Sequence, residues 1–223
     1  MCAAGNDLVI THPLSWILMS EGMSFSQHII YGLLWLSFGL VHSVLAAHST
    51  KRLLAPLFGR SYRLVFNLFS ILHIGLVIYG GQYLLGADAV KFVYSAEFQW
   101  LLILSLILGI VIFILALREY DLGRFSGVTQ LFDPSAQDKD EPLQTGGLHR
   151  YVRHPLYSGV YLYLWGAVQT EFDLVTAGWA SLYLLIGSHF EERKLIVDYG
   201  DTYREYKARV PSVIPWRGRA ISD

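Results

Sequence analysis

Three long stretches without a formal charge dominate this chain and restrict what it can fold into. Ile29 to Ala47 runs for 19 residues, Leu64 to Leu85 for 22 and Phe98 to Leu117 for 20. A hydrocarbon core of roughly 30 Å takes about 20 apolar residues in helix. A segment buried in lipid must satisfy its own backbone, which makes helix the form expected here. Two shorter uncharged stretches follow, Pro155 to Thr170 and Leu174 to Phe190, separated only by Glu171-Phe172-Asp173. They read as a tight helical hairpin, because 16 residues of helix cover only about 24 Å. The expectation is an all-α integral membrane protein with about five transmembrane helices, the last two a short hairpin.

Charge placement orients it. With five spans, sixteen of the seventeen Lys and Arg residues fall on one side, in the connections 48–63 and 118–154 and in the segment from Glu191 onward; only Lys91 falls opposite. Basic residues mark the cytoplasmic side, which puts the C-terminus inside and the N-terminus outside. The division expected is a single membrane domain, 1–223. It has three long spans at 28–118, a cytoplasmic loop at 119–155, a hairpin at 155–190 and a cytoplasmic tail at 191–223.

Composition narrows the function. Charged residues make up only 16% of the chain, well below the quarter or so of soluble domains. A net charge of −1 leaves no basic excess for phosphates, so nucleic acid is not an expected partner. The lone cysteine, Cys2, excludes an intrachain disulfide and a cysteine-rich zinc site; no metal is expected. No Arg/Lys-led short apolar leader with a small-residue cleavage site is visible, so no cleavable signal peptide is expected. Leu8 to Met19, interrupted by His12 and Pro13, reads as an interfacial or capping stretch. The run Asp133 to Pro142 reads as a solvated linker.

Two polar patches bracket the hairpin. The first ends in Arg153-His154-Pro155-x-Tyr157-x-Gly159, with Gly147 and Tyr151 just upstream. Pro155 suits the first position of a helix, and a helix N-terminus attracts anions, so a carboxylate or phosphate would dock beside Arg153 and His154. The second patch reads Glu191-Glu192, then Tyr199-Gly200-x-x-Tyr203-x-x-Tyr206, then Val210-Pro211-x-x-x-Pro215. Adjacent carboxylates at a membrane-facing helix end need cations or a polar ligand.

Together these motifs resemble the integral membrane methyltransferase superfamily that contains isoprenylcysteine carboxyl methyltransferase and the phospholipid methyltransferases. The resemblance covers Leu143 to Trp216, about a third of the chain. In the N-terminal half, His42-Ser43, Lys51-Arg52, Tyr62-Arg63-Leu64 and Asn67, then Tyr120-Asp121-Leu122 and Phe125-Ser126-Gly127, are similar to the methanethiol S-methyltransferases and their denitrification-associated relatives. The resemblance implies S-adenosylmethionine as methyl donor, enclosed between the hairpin and a folded-back C-terminal tail. It implies Gly147, Tyr151, Arg153, His154, Pro155, Tyr157, Gly159, Glu191, Glu192, Tyr203 and Tyr206 on the cofactor side. His42, Arg63 and Asn67 are the implied substrate-side residues. His149 departs from the pattern, standing where many members carry an aromatic residue. No glycine-rich loop follows a strand, so a Rossmann methyltransferase is not expected.

In chemical terms, Glu192 or Glu191 would bind a ribose hydroxyl or the donor's ammonium, and Arg153 with the helix start at Pro155 would hold its carboxylate. The acceptor, a small or lipophilic thiol, would enter from the bilayer and react as thiolate, favoured by Arg153, His154 or Arg63. Arg153 and Glu192 are expected to take direct part in catalysis, with His154 as a proton acceptor. Carboxyl or lipid methylation is the neighbouring alternative. A haem held by His42 and His73, set at different depths in the membrane, and a nicotinamide-dependent membrane reductase are the alternatives from a different class.

Overall fold

The computed structural model describes residues 22–133 and 142–216. The stretch Leu8 to Met19 and most of the run Asp133 to Pro142 lie outside them. Apart from one isolated bridge between Lys91 and Thr170, the described residues form helices and turns. In chain order these are α1 (Phe25–Ala46), α2 (His48–Phe58), α3 (Tyr62–Leu85), α4 (Ala96–Leu117), α5 (Leu122–Ser126), α6 (Val128–Phe132), α7 (Pro155–Gly166), α8 (Glu171–Tyr199) and α9 (Asp201–Arg209). Among the described residues, α1, the helical stretch His48–Leu85 and α4 are long and apolar enough to cross a membrane. Their outward faces carry Leu33, Leu36, Leu40, Leu68, Ile71, Leu104 and Ile107, all more than half exposed, as lipid-facing side chains would be.

Local chemistry sets the helix ends, and two of them differ from expectation. Ser24 caps α1 in a box with Gln27. The connection 48–63 is mostly the helix α2, none of whose residues is buried; Leu53 and Leu57, one turn apart, are exposed beside Lys51 and Arg52. Such a helix suits the plane of the interface. At the hairpin, the predicted turn Glu171-Phe172-Asp173 is instead the first turn of α8. Thr170 accepts from the backbone of Asp173 while Asp173 returns a bond to the backbone of Thr170, a reciprocal cap, and acidic residues suit the positive end of the helix dipole. The turn itself is 167–170. The far end of α8 also differs: Glu191 and Glu192 do not terminate it, and it runs 29 residues to Gly200, whose φ of 59° breaks it. At about 1.5 Å per residue α8 is about 43 Å long, whereas α7, with 12 residues, covers only about 18 Å.

The helices alternate in direction. Tyr31 of α1 meets Thr176 of α8 through their hydroxyls (2.8 Å), and further along Phe38 meets Tyr183, so these helices run parallel. α3 returns antiparallel to α1, with Tyr31 fitted over Gly81 and His42 bonded to Ser70. Tyr31, Trp35, Phe38, Val77, Leu85, Phe172 and Ala180 form the core between these three helices. α4 and α7 lie backbone to backbone. A Cβ on Gly159 would come within 2.7 Å of the Phe113 nitrogen, and one on Gly166 within 2.7 Å of the Leu102 carbonyl; Gly109 meets Tyr163 as closely. Small residues permit this approach between membrane helices. It fixes α7, and the motif at its start, rigidly on the end of α4.

His42 and His73 are not far apart in depth, as the sequence suggested. His42 lies level with Ser70 and His73 level with Ser37, an offset of about one helical turn. The Phe38 ring packs against both, 5.4 Å from His42 and 5.5 Å from His73.

Candidate active site

The first motif begins with a turn only glycine makes easily. Gly147 has φ of 52°, and a Cβ there would strike the Glu119 carboxylate. A short 3-10 turn over Gly147–Arg150 follows, and His154 leaves the helical conformation (φ −125°, ψ 67°) ahead of Pro155, in keeping with the restriction that proline places on the residue before it. The resulting geometry turns Arg153 and His154 toward the last turns of α8.

There they meet Glu192, one of the few charged side chains inside the protein, at 6% exposure. Arg153 donates to Glu192 Oε1 from Nε (2.7 Å) and approaches it from Nη2 (2.5 Å). His154 Nε2 lies 3.1 Å from the same oxygen, and Lys207 Nζ of α9 reaches Oε2 at 2.7 Å. Burial disfavours the charged carboxylate, but hydrogen bonds from His154, Lys207 and Arg153 outweigh it and hold its pKa at about 2. Nη1 of the Arg153 guanidinium donates to the carbonyls of Lys207 and Val210.

The two sequence patches are thus brought together. The backbone completes the join: Arg153 N–H donates to the Pro211 carbonyl (2.9 Å), His154 N–H to Ser212 (3.0 Å), and the Ser158 hydroxyl to Val213 (2.6 Å). Tyr206 donates to the His149 carbonyl (2.7 Å), and burial pushes the hydroxyl pKa of both Tyr203 and Tyr206 up. The segment 211–213 therefore lies across the start of α7, its carbonyls taking the N–H groups of Arg153 and His154 and the hydroxyl of Ser158.

Glu191 is different. Its side chain is 47% exposed, takes one hydrogen bond from the Tyr157 hydroxyl (2.8 Å) and lies 3.6 Å from His154 Nδ1. The His154 and Tyr157 rings stack at 5.2 Å. This half-open carboxylate continues along α8 through Lys194 and Asp198, three and seven residues on and so on one stripe of the helix. Lys194 and Asp198 line a cavity of about 950 Å³, with Lys51, Arg60, Arg63 and Phe66 on its other walls. None of the residues implied for the cofactor lines that cavity, and of those implied for the substrate only Arg63 does.

The substrate-side residues also hold protein, Arg63 while lining the cavity. Asn67 donates to the carbonyls of Phe125 (2.9 Å) and Ser126 (3.0 Å), and Arg63 to that of Arg124 (3.0 Å); together they pin α5 against α3. His42 is enclosed by Phe38, Phe66 and Tyr183. Tyr151, at 48%, is exposed. Sequence reasoning missed Glu119 and Lys207. Both are ordinary charged residues outside the motifs, and only the fold shows that each points inward.

Comparison with known proteins agrees with these motifs. The family model described as NnrU protein matches residues 30–210. The chain is 28% identical over 196 residues to the methanethiol S-methyltransferase of Crocosphaera subtropica, covering 82% of this chain and 72% of that protein. It is 45% identical over 71 residues to methanethiol S-methyltransferase 1 of Bradyrhizobium diazoefficiens, covering 31% of this chain and only 25% of that protein. Protein-S-isoprenylcysteine O-methyltransferase of Schizosaccharomyces pombe is 35% identical over 85 residues, covering 36% of each chain. No solved structure matches.

Proposed function

We propose, from the premise that this chain belongs to the NnrU protein family, that it is an integral membrane methyltransferase that uses S-adenosylmethionine to methylate a small or lipophilic thiol. The observation that carries this reading is the meeting of Arg153, His154 and Glu192 beside the half-open Glu191, all within the family-matched residues. The relatives named methanethiol S-methyltransferase favour a thiol as acceptor.

The residues present suit such a donor. Glu191 keeps acceptor capacity unspent next to the Tyr157 ring, a fit for a sulfonium or ammonium. Asp198 and Thr202 line the neighbouring cavity, of which Glu191 and Tyr157 are not part; they suit ribose hydroxyls, and the cavity volume is in the usual range for ligand sites. Lys194 and Lys51 suit the donor's carboxylate. When bound, S-adenosylmethionine supplies a methyl group on a positively charged sulfur, open to in-line displacement. What the protein adds is alignment and exclusion of water. In this division of labour Arg153 and Glu192 brace the tail, residues 191–216, against α7, and Glu191 faces the donor. The α7–α8 hairpin would complete five spans, with the site and the C-terminus on the cytoplasmic side. Apolar acceptors would reach it from the bilayer.

A second reading, methylation of a carboxylate on a lipophilic acceptor, is favoured by the match to the isoprenylcysteine O-methyltransferase. A transfer assay with labelled donor over methanethiol, longer alkanethiols, prenylated cysteine and phospholipid separates the two. Label on thiols is expected; label on prenylcysteine alone would overturn the thiol assignment in favour of the second reading.

A further inference from the structure

A buried hydrogen-bonded chain runs beside the site without being used by the bracing described above. His149, 4% exposed, places Nδ1 2.8 Å from Glu119 Oε2 and Nε2 3.3 Å from the Tyr120 hydroxyl. A carboxylate can only accept, so Nδ1 carries the proton toward Glu119 and Nε2 is left to accept from Tyr120. The other Glu119 oxygen accepts from the Leu148 backbone (2.7 Å), which fixes the carboxylate in place. Burial lowers the His149 pKa, against the opposing pull of Glu119, so the imidazole is neutral at pH 7 and able to take a proton. Burial, with the charges of Glu191 and Glu119, pushes the Tyr120 hydroxyl up to about 12, so it stays protonated. Tyr120 is half-buried, its ring packs at 5.7 Å on Phe125, and it feels the Glu191 charge. Tyr120 therefore lies against the α5 wall that Asn67 and Arg63 hold in position, and its bond to His149 ties it to the segment that leads into Arg153 and His154.

We propose that Tyr120, His149 and Glu119 form a proton relay that takes the proton of the acceptor thiol; the proposal rests on the thiol methyltransferase reading. The thiol S–H proton moves to the Tyr120 oxygen as the Tyr120 proton moves to His149 Nε2, giving an imidazolium held by Glu119. The thiol sulfur then forms its bond to the methyl carbon as the donor's carbon–sulfur bond breaks. That electron pair stays on the donor sulfur, leaving a neutral thioether, and His149 later gives its proton to water. Tyr120 is the catalytic residue of the three, and His149 and Glu119 act through it. The titratable groups bonded to His149 are Tyr120 and Glu119, and the charges of His154 and Glu191 act on it besides that of Glu119.

The test compares acceptors of different acidity. Tyr120→Phe keeps the ring on Phe125 and removes the hydroxyl. With an alkanethiol, protonated at neutral pH, its kcat/KM is expected to fall about 10²–10⁴-fold, the usual worth of a positioned base. With an aryl thiol already ionised, the fall should be less than about threefold. His149→Gln and Glu119→Gln should follow the same pattern, and the Tyr120→Phe, His149→Gln double variant should lose no more than Tyr120→Phe alone. Calorimetric binding of S-adenosylhomocysteine should be unchanged in Tyr120→Phe. In that dead-end complex the ultraviolet absorbance of bound alkanethiolate should disappear with the hydroxyl. Equal losses on both thiols, or an unchanged thiolate absorbance, would overturn the relay while leaving the methyltransferase intact. A wild-type protein that binds S-adenosylhomocysteine yet methylates no thiol would overturn the thiol reading and the relay with it.

Discussion

Gly159 tests how the fold holds the site. It belongs to the motif that implies cofactor contact, yet in the structure it is where α7 touches α4. A Cβ added there would come within 2.7 Å of the Phe113 nitrogen, 2.9 Å of the Gly109 carbonyl and 3.0 Å of the Phe113 Cα. All three atoms are backbone, so no side chain can swing aside. An ordinary carbon contact needs about 3.5 Å, so Gly159→Ala must push the two helices apart by nearly 1 Å. Overpacking of this kind costs about 1–3 kcal/mol, a fall of several degrees in Tm. Because α7 starts at Pro155, next to His154, the same shift displaces the site; a 1 Å misplacement costs about 10²-fold in rate. The control is Gly187→Ala on α8, where a new Cβ meets nothing within 4 Å and a helical glycine is replaced by a better helix former. It should raise stability by about 0.4–1 kcal/mol. The assay is thermal unfolding in detergent, followed by methyl transfer. If Gly159→Ala matched the control in both, the close α4–α7 packing and the rigidity it gives the site would be refuted.

The tail brace makes two further predictions. Glu192→Gln leaves the buried Arg153 guanidinium facing a neutral group, at a cost of about 3–5 kcal/mol; limited proteolysis should then cut near Lys207 and Arg209 of α9, sites resistant in the parent protein. The same carboxyl sets an acid limit. Its folded pKa, about 2, is below the ordinary 4.5, so its stabilisation is fully present above about pH 4.5 and lost as the pH falls toward 2. Tm should be insensitive to this group between pH 5 and 8 and fall below 4.5, and Glu192→Gln should flatten that acid branch.

Much of the fold was legible because lipid imposes a strict rule. The uncharged runs at 29–47, 64–85 and 98–117 became α1, α3 and α4 with ends shifted by no more than four residues, since length and lack of charge decide a spanning helix. The hairpin was less legible. Runs of charge mark where a membrane ends, not where a helix ends, so α8 continued past Glu191 and Glu192 until Gly200 stopped it. The motifs marked Arg153, His154 and Glu192 as two patches around the hairpin, each with a part toward the donor; that the three meet one another is seen only in the fold. The division of roles between the two glutamates did not, because it depends on which one Lys207 reaches from a separate helix. Nor did the Glu119–His149 pair: a histidine in an aromatic position looked like a departure from pattern until the fold set a carboxylate against it. Arg63 and Asn67 were singled out for substrate, and the structure gives their polar groups to the carbonyls of α5.

The most direct measurement of the central claim is calorimetric titration of S-adenosylhomocysteine into the detergent-purified protein, paired with transfer of labelled methyl from S-adenosylmethionine to methanethiol. The account predicts saturable binding, lost in Glu191→Gln, and labelled dimethyl sulfide as product. No binding at millimolar ligand, together with no label on any thiol, would contradict it.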